Sequence, residues 1–216
     1  MYVADHMTKN PTCIAPDTAV SKALDIMDKN NFHRLPVVDS EGRLIGLVTE
    51  GLISGSTGKN NTSLSIYELN YLLSRTKVSD IMVTEIFTIT PDILVEEAAV
   101  KMRSNNISVL PVVDLEGKVV GIITENDIFD AFIDLLGYHT AGTRFVINVQ
   151  EDHPGILEEL AGMFSEKKIN LQNLAVYYTV RGVEVVVLAK GNCPQMKEEL
   201  TAKGYNVTDM LVRSEN

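Results

Sequence analysis

The sequence predicts an α/β (α+β) protein: a duplicated helix-on-sheet unit followed by a smaller domain of interleaved strands and helices. Three observations predict it. Sliding the chain by 75 residues lays 5–52 over 80–127 without a gap, and 20 of the 48 pairs are identical. Beyond Thr143 the apolar residues switch between a period of two and a helical period, in the order strand, helix, strand, strand, helix, strand. The chain of 216 residues is 45% hydrophobic and 22% charged, enough to bury a core in each part.

Within each copy the elements follow from spacing. After Pro16, Val20, Ala23, Leu24 and Met27 fall at i, i+3, i+4 and i+7, one face of an amphipathic helix, and Val95, Ala98, Ala99 and Met102 repeat it. Two apolar β-rich runs come next, LPVV and LIGLVT, joined by Asp-Ser-Glu-Gly in the first copy and Asp-Leu-Glu-Gly in the second, which is a hairpin signal. Thr49 and Thr124 close the strands where a further helix begins. A unit of about 50 residues is marginal alone, so the two copies are expected to pack together and share one core.

Residues 53–77 have no counterpart in the repeat. They read as a polar loop followed by a helix over 64–75. Gly58-Lys59 is not a P-loop: Ile53 stands where its first glycine belongs, and Asn60 where Ser or Thr would bind magnesium. The tandem pair is therefore expected over 1–137 (first copy 1–57, insertion 58–76, second copy 77–137) and the second domain over 138–216.

In that second domain Phe145, Ile147 and Val149 alternate as a strand, and Ile156, Leu157, Leu160, Met163 and Phe164 keep helical spacing. Strands over 170–180 and 183–189 flank a turn at Arg181-Gly182, a helix covers 195–203 and a last strand 206–212. This is βαββαβ, the ferredoxin-like order.

Charge and composition exclude several functions. A formal charge of −10 repels a nucleic-acid backbone, and the chain has no Trp for stacking single strands. No apolar run approaches the ~20 residues of a membrane span and no secretory signal opens the chain, so a cytoplasmic protein is expected. Cys13 and Cys193 lack CxxC spacing, and the four histidines form no metal motif. No nucleophile elbow is present, so an enzyme is not expected.

The order Met-Thr, Pro-Asp, helix, Leu-Pro-Val-Val-Asp, Gly, Gly-(Leu/Ile)-(Val/Ile)-Thr-Glu, present twice, resembles a tandem pair of cystathionine-β-synthase-type CBS motifs, a Bateman module. The resemblance implies a pseudo-twofold module with adenine nucleotides in clefts between its motifs. Asp152-His153-Pro154-Gly155-Ile156-Leu157 at the first strand-helix junction, with Ile169-Asn170 opening the second strand, resembles an ACT domain. That implies a small ligand near Asp152, Gly155 and Asn170, whereas Asp152 read alone is a helix cap, with Pro154 in the first turn. The order CBS-CBS-ACT is similar to the acetoin-utilisation-type family.

The sharpest site candidate is the run from Gly121 to Asp127. A Thr-x-x-Asp pair at the start of a helix places a hydroxyl and a carboxylate on its first turn, where the carboxylate can accept both hydroxyls of a ribose. The same spacing is close to a helix capping box, and both interpretations stand. By resemblance Thr124 and Asp127 are nucleotide-binding positions. Ile89, Val109 and Pro111 would sandwich the adenine, with Ser108 beside Val109, and Gly121 would leave room in the hairpin. His33 and Arg34 are placed either at the phosphate or on the surface. The first copy carries Leu52 in place of the carboxylate, so one competent nucleotide site per chain is expected.

The expected function is regulatory: an adenine nucleotide such as AMP, ATP or cyclic di-AMP binds as a ligand, no cofactor is required, and the ACT part serves homodimerisation or small-ligand sensing toward an unidentified protein target. A ligand-silent homodimeric scaffold, or an amino-acid sensor acting through the ACT part, is the alternative.

Overall fold

A computed structural model describes residues 1–56, 66–180 and 182–214. Gly58-Lys59, the polar loop around it and Arg181 of the second-domain turn lie outside the described residues. The chain divides into two compact units, Met1–Ala131 and Phe132–Asn216.

The first unit opens with α1 (Val3–His6) and the two-residue strand β1 (Thr8–Lys9). The first copy follows as α2 (Val20–Asn30), β2 (Arg34–Val38), β3 (Leu44–Thr49) and α3 (Glu50–Ser56). After α4 (Ile66–Arg75) and a 3₁₀ turn at Val78–Asp80, the second copy repeats the pattern as α5 (Val95–Asn105), β4 (Val109–Val113), β5 (Val119–Thr124) and α6 (Glu125–Leu135).

The repeated residues mark local geometry. Asn31 and Asn106 end α2 and α5 in the left-handed conformation at φ 54° and 52°, a place asparagine tolerates better than most residues. Their neighbours Asn30 and Asn105 each donate a side-chain hydrogen bond of 2.8 Å to the carbonyl four residues back. In the hairpins the Asp39 carboxylate accepts from the backbone of Glu41 and Arg43, and Asp114 does the same for Glu116 and Lys118. Gly42 and Gly117 complete these turns at φ +81°, which a side chain would strain.

The two copies exchange their leading segments. β1 pairs antiparallel with β5 of the second copy, Thr8 opposite Ile122, and Val83 in the leading segment of the second copy bridges to Leu47 of the first. Two cores result instead of the single shared one expected. One is built on Met27, Leu35, Val37 and Val48 and takes in Val78; the other, on Met102, Leu110, Val112 and Ile123, takes in Val3. Each helix closes over its own small sheet, so the copies are joined by traded residues. Full burial of Val3 alone is worth about 1.5–3 kcal/mol to that exchange.

The same trade explains two repeated pairs. A side chain at Gly46 would run into the thioether of Met82, and one at Gly121 into that of Met7. The space beside Gly121 is therefore taken by Met7, where room in the hairpin was expected.

The second unit contains β6 (Gly142–Val149), α7 (Ile156–Glu166), β7 (Leu171–Thr179), β8 (Gly182–Ala189), α8 (Met196–Ala202) and β9 (Asn206–Arg213). Its antiparallel sheet has the order β7-β8-β6-β9, the ferredoxin-like arrangement of βαββαβ. Alternation along β6 and β8 turns Phe145, Ile147, Val185 and Val187 inward against Leu160, Phe164 and Leu200 of the helices. The Phe145 and Phe164 rings meet edge to face at 5.6 Å. Among the described residues, no helix is long and apolar enough to cross a membrane.

Candidate functional site

Between the two copies lies a cavity of about 460 Å³. The C-terminal end of β3 and the first turn of α3 bring Thr49, Glu50 and Leu52 to it; the start of β2 brings His33 and Arg34; the second copy contributes Phe87, Ser108 and Val109. Four of the residues singled out from sequence, His33, Arg34, Ser108 and Val109, are thus gathered in one place. They surround the cleft of Thr49 and Leu52.

Arg34 crosses from one copy to the other. Its Nη1 donates to Ser108 Oγ at 3.1 Å, a bond between residues 74 apart in sequence. Burial pulls the Arg34 pKa down, opposed by the charge of Glu125 on the first turn of α6. His33 Nδ1 lies 3.0 Å from Glu50 Oε2, an exposed contact that is an ion pair when the imidazole is protonated. A positively charged fork is therefore held at the wall of the cavity, where an anion can reach it.

Thr124 and Asp127 stand at the position equivalent to Thr49 and Leu52. The Thr124 N–H donates to Asp127 Oδ2 at 2.6 Å, the Thr124 hydroxyl donates to the same oxygen at 2.8 Å, and the Asp127 N–H donates to Thr124 Oγ1 at 3.4 Å. These are the bonds of a capping box, with Asp in place of the usual Glu. Both bonds that the Asp127 carboxylate accepts use Oδ2; among the described residues no hydrogen bond ends on Oδ1. Capping the helix and accepting a ligand hydroxyl are thus compatible in one side chain.

Ile89 and Pro111 are buried. Ile89 is 6% exposed and belongs to the second core, where its N–H donates to the Pro111 carbonyl at 3.2 Å. In the second unit Asp152 and Gly155 are exposed on the β6–α7 loop and Asn170 is exposed just before β7. Gly155, at φ +99°, precedes α7 with no side-chain cap, so Asp152 does not cap this helix. Among the described residues no cluster of three or more His, Cys, Asp or Glu is arranged to hold a metal ion.

Sequence reasoning missed Phe87 and Val83 as cavity residues. Their signal was indirect: Val83 is equivalent to Thr8 of β1 and bridges to Leu47 of the first copy, and Phe87 follows four residues later, so their place at the cavity is visible only once the copies are assembled.

The CBS domain family matches residues 3–53 and 78–134, together half of the chain. The chain belongs to the CBS domain family. Among curated relatives, a CBS domain-containing protein of Dictyostelium discoideum is 35% identical over 136 residues, 63% of this chain and 94% of its own length. A homoserine O-acetyltransferase of Methanococcus vannielii is 34% identical over 126 residues, 58% of this chain; the chain spans 24% of that enzyme's length. Among solved structures, a CBS domain pair in complex with 5′-methylthioadenosine and S-adenosyl-L-methionine is similar at 31% identity and a TM-score of 0.52, over 61% of this chain and 99% of that one. A CBS-pair protein of Arabidopsis thaliana in complex with AMP matches at 30% identity and a TM-score of 0.51, over 62% and 96%. A candidate acetoin utilization protein of Vibrio cholerae matches at 26% identity and a TM-score of 0.53, over 63% and 93%. All three matches cover somewhat more than three-fifths of this chain, in keeping with the extent of the CBS pair.

Proposed function

We propose that this CBS pair is a regulatory module that binds an adenine nucleotide between its two copies, without catalysing a reaction. The observation that carries it is the Thr124–Asp127 pair, which is half-buried on the first turn of α6 and has Oδ1 available to a ribose diol. Arg34 supplies the cation a phosphate needs in an otherwise acidic chain. The adenine ligands in complex with two similar CBS pairs support the ligand class. The C-terminal unit serves as an ACT domain that associates two copies or senses a small ligand at the Asp152–Gly155 loop, supported by the order β7-β8-β6-β9. Ligand binding shifts the protein between states by the difference in its affinity for them, and a protein target reads the outcome.

A thermal-melt panel of AMP, ATP, S-adenosylmethionine and cyclic di-AMP tests the proposal. A ligand at 100 times its dissociation constant stabilises by about 2.7 kcal/mol, a rise of a few degrees at this size. A rise with at least one of them that disappears in Asp127→Ala is expected. No rise with any would overturn nucleotide sensing in favour of a ligand-silent scaffold.

A further inference from the structure

The second unit has a cavity of its own, on the face of its sheet away from α7 and α8. Alternation puts Arg144 and Leu188 on that face, opposite the core residues Phe145 and Val187. The last turn of α6 and the residues after it lie against it. Arg144 Nη1 donates to the Leu136 carbonyl at 3.3 Å, the Asn173 side chain donates to the Leu135 carbonyl, and a side chain at Gly137 would run into Leu188. Beside these contacts about 370 Å³ is left open, within the range of small-molecule sites.

The lining is apolar on one side and cationic on the other. Phe132, Ile133 and Leu136 form the apolar wall, and Leu211 of β9 continues it. In the register of β6 and β9, Leu211 stands opposite Arg144, with Asp209 and Arg213 on the diagonals of the same face. The Arg213 guanidinium lies over the Tyr138 ring, 3.8 Å from its centroid, a stacking that fixes the fork and leaves its N–H edge free. Asp209 is exposed, and its Oδ1 accepts from the Met210 N–H at 2.8 Å. Among the described residues no carboxylate forms an ion pair with Arg144 or Arg213. Two cations against one exposed carboxylate leave the lining net positive and attract an anion. The apolar wall selects an anion with an apolar body.

We infer that this cavity binds a small organic acid, a carboxylate on a branched or aromatic body that carries no ammonium group. The carboxylate meets the guanidinium forks of Arg213 and Arg144, and the body packs against Phe132, Ile133 and Leu136. An ammonium would be set beside two guanidinium groups, so an amino acid of the same shape is disfavoured. The site is separate from the Asp152–Gly155 loop: Val149, at the loop end of β6, is about 17 Å along the strand from Arg144 at ~3.4 Å per residue. All its residues belong to the second unit, so it stands or falls apart from nucleotide binding.

An NMR titration of the isotope-labelled full chain with isocaproate, isocaproamide and leucine tests it. Isocaproate is expected to give saturable shifts of the backbone N–H signals around Phe132, Tyr138, Arg144 and Arg213. The uncharged isocaproamide binds at least about tenfold more weakly, and Arg213→Met costs the acid a similar factor. Leucine, the same body with an ammonium added, binds about fivefold or more weakly. Leu211→Trp, which fills the cavity, removes the shifts. Should either variant fail to fold by circular dichroism, acid against isocaproamide on the unsubstituted chain decides. Absence of saturable shifts with the acid, or shifts centred on the Asp152–Gly155 loop or the CBS pair, would overturn the inference. So would isocaproamide or leucine binding as tightly as the acid, or a folded Arg213→Met or Leu211→Trp that binds it unchanged.

Discussion

Arg34 and Ser108 tie the two copies together: the guanidinium of one donates to the hydroxyl of the other at 3.1 Å in the lining of the inter-copy cavity. The repeat offers no counterpart to this contact, because the residues equivalent to His33 and Arg34 are Ser108 and Val109. The duplicated fold is symmetric in its backbone and asymmetric in its charge.

Arg34→Met keeps most of the apolar stem and removes the cation. A charge-assisted hydrogen bond contributes about 1.5–3 kcal/mol, so AMP affinity is expected to fall by about tenfold or more while adenosine affinity stays put. Parallel titrations with the two ligands check this. Equal losses for both would place Arg34 away from the phosphate.

The glycines at 46 and 121 are set by packing against methionine. Gly121→Ala drives a methyl group into the Met7 thioether and is expected to destabilise the first unit by about 1–3 kcal/mol. In a Met7→Ala background the cost shrinks. A double-mutant cycle by urea unfolding measures the coupling, and additive effects would dismiss the contact.

Much of this fold is legible in the sequence because duplication prints every local device twice. Asn31 with Asn106, Asp39 with Asp114 and Gly42 with Gly117 are repeated since each solves a backbone problem, a left-handed helix end or a tight turn, that few residues solve. The segment exchange was not legible. β1 consists of two exposed polar residues, Thr8 and Lys9, and carries no apolar period that names a partner. The site was legible in part for a similar reason. Thr124-x-x-Asp127 is a local pattern, and it forms as a local hydrogen-bonded pair. Which apolar residues line a cavity and which fill a core depends on how the copies dock, so strand alternation could not separate Val109 and Phe87 from Ile89 and Pro111.

In the second unit Thr143 is fully buried, donating to the Gly191 carbonyl at 2.8 Å and accepting from the Cys193 N–H at 2.9 Å. Thr143→Val keeps the shape and strands both backbone groups. A loss of about 1–3 kcal/mol is expected in the unfolding of this unit, measured by urea titration; a change under about 0.5 kcal/mol would show that the two groups find other partners.

Burial pushes the Cys13 thiol up from its ordinary value. Folding thus favours the neutral thiol: its contribution to stability is present below the unfolded pKa and is lost as pH rises through the folded one, an alkaline window. In a Cys193→Ala chain, iodoacetamide should alkylate Cys13 along a pH curve displaced to higher pH than that of free cysteine. A midpoint at or below the free value would contradict the burial effect.

The most direct measurement is calorimetric titration of AMP into the full chain and into Asp127→Ala. One AMP per chain, with affinity lowered about 5- to 150-fold by the substitution, is the predicted result. Absence of binding, or an affinity that Asp127→Ala leaves unchanged, would contradict an adenine nucleotide held between the copies by the first turn of α6.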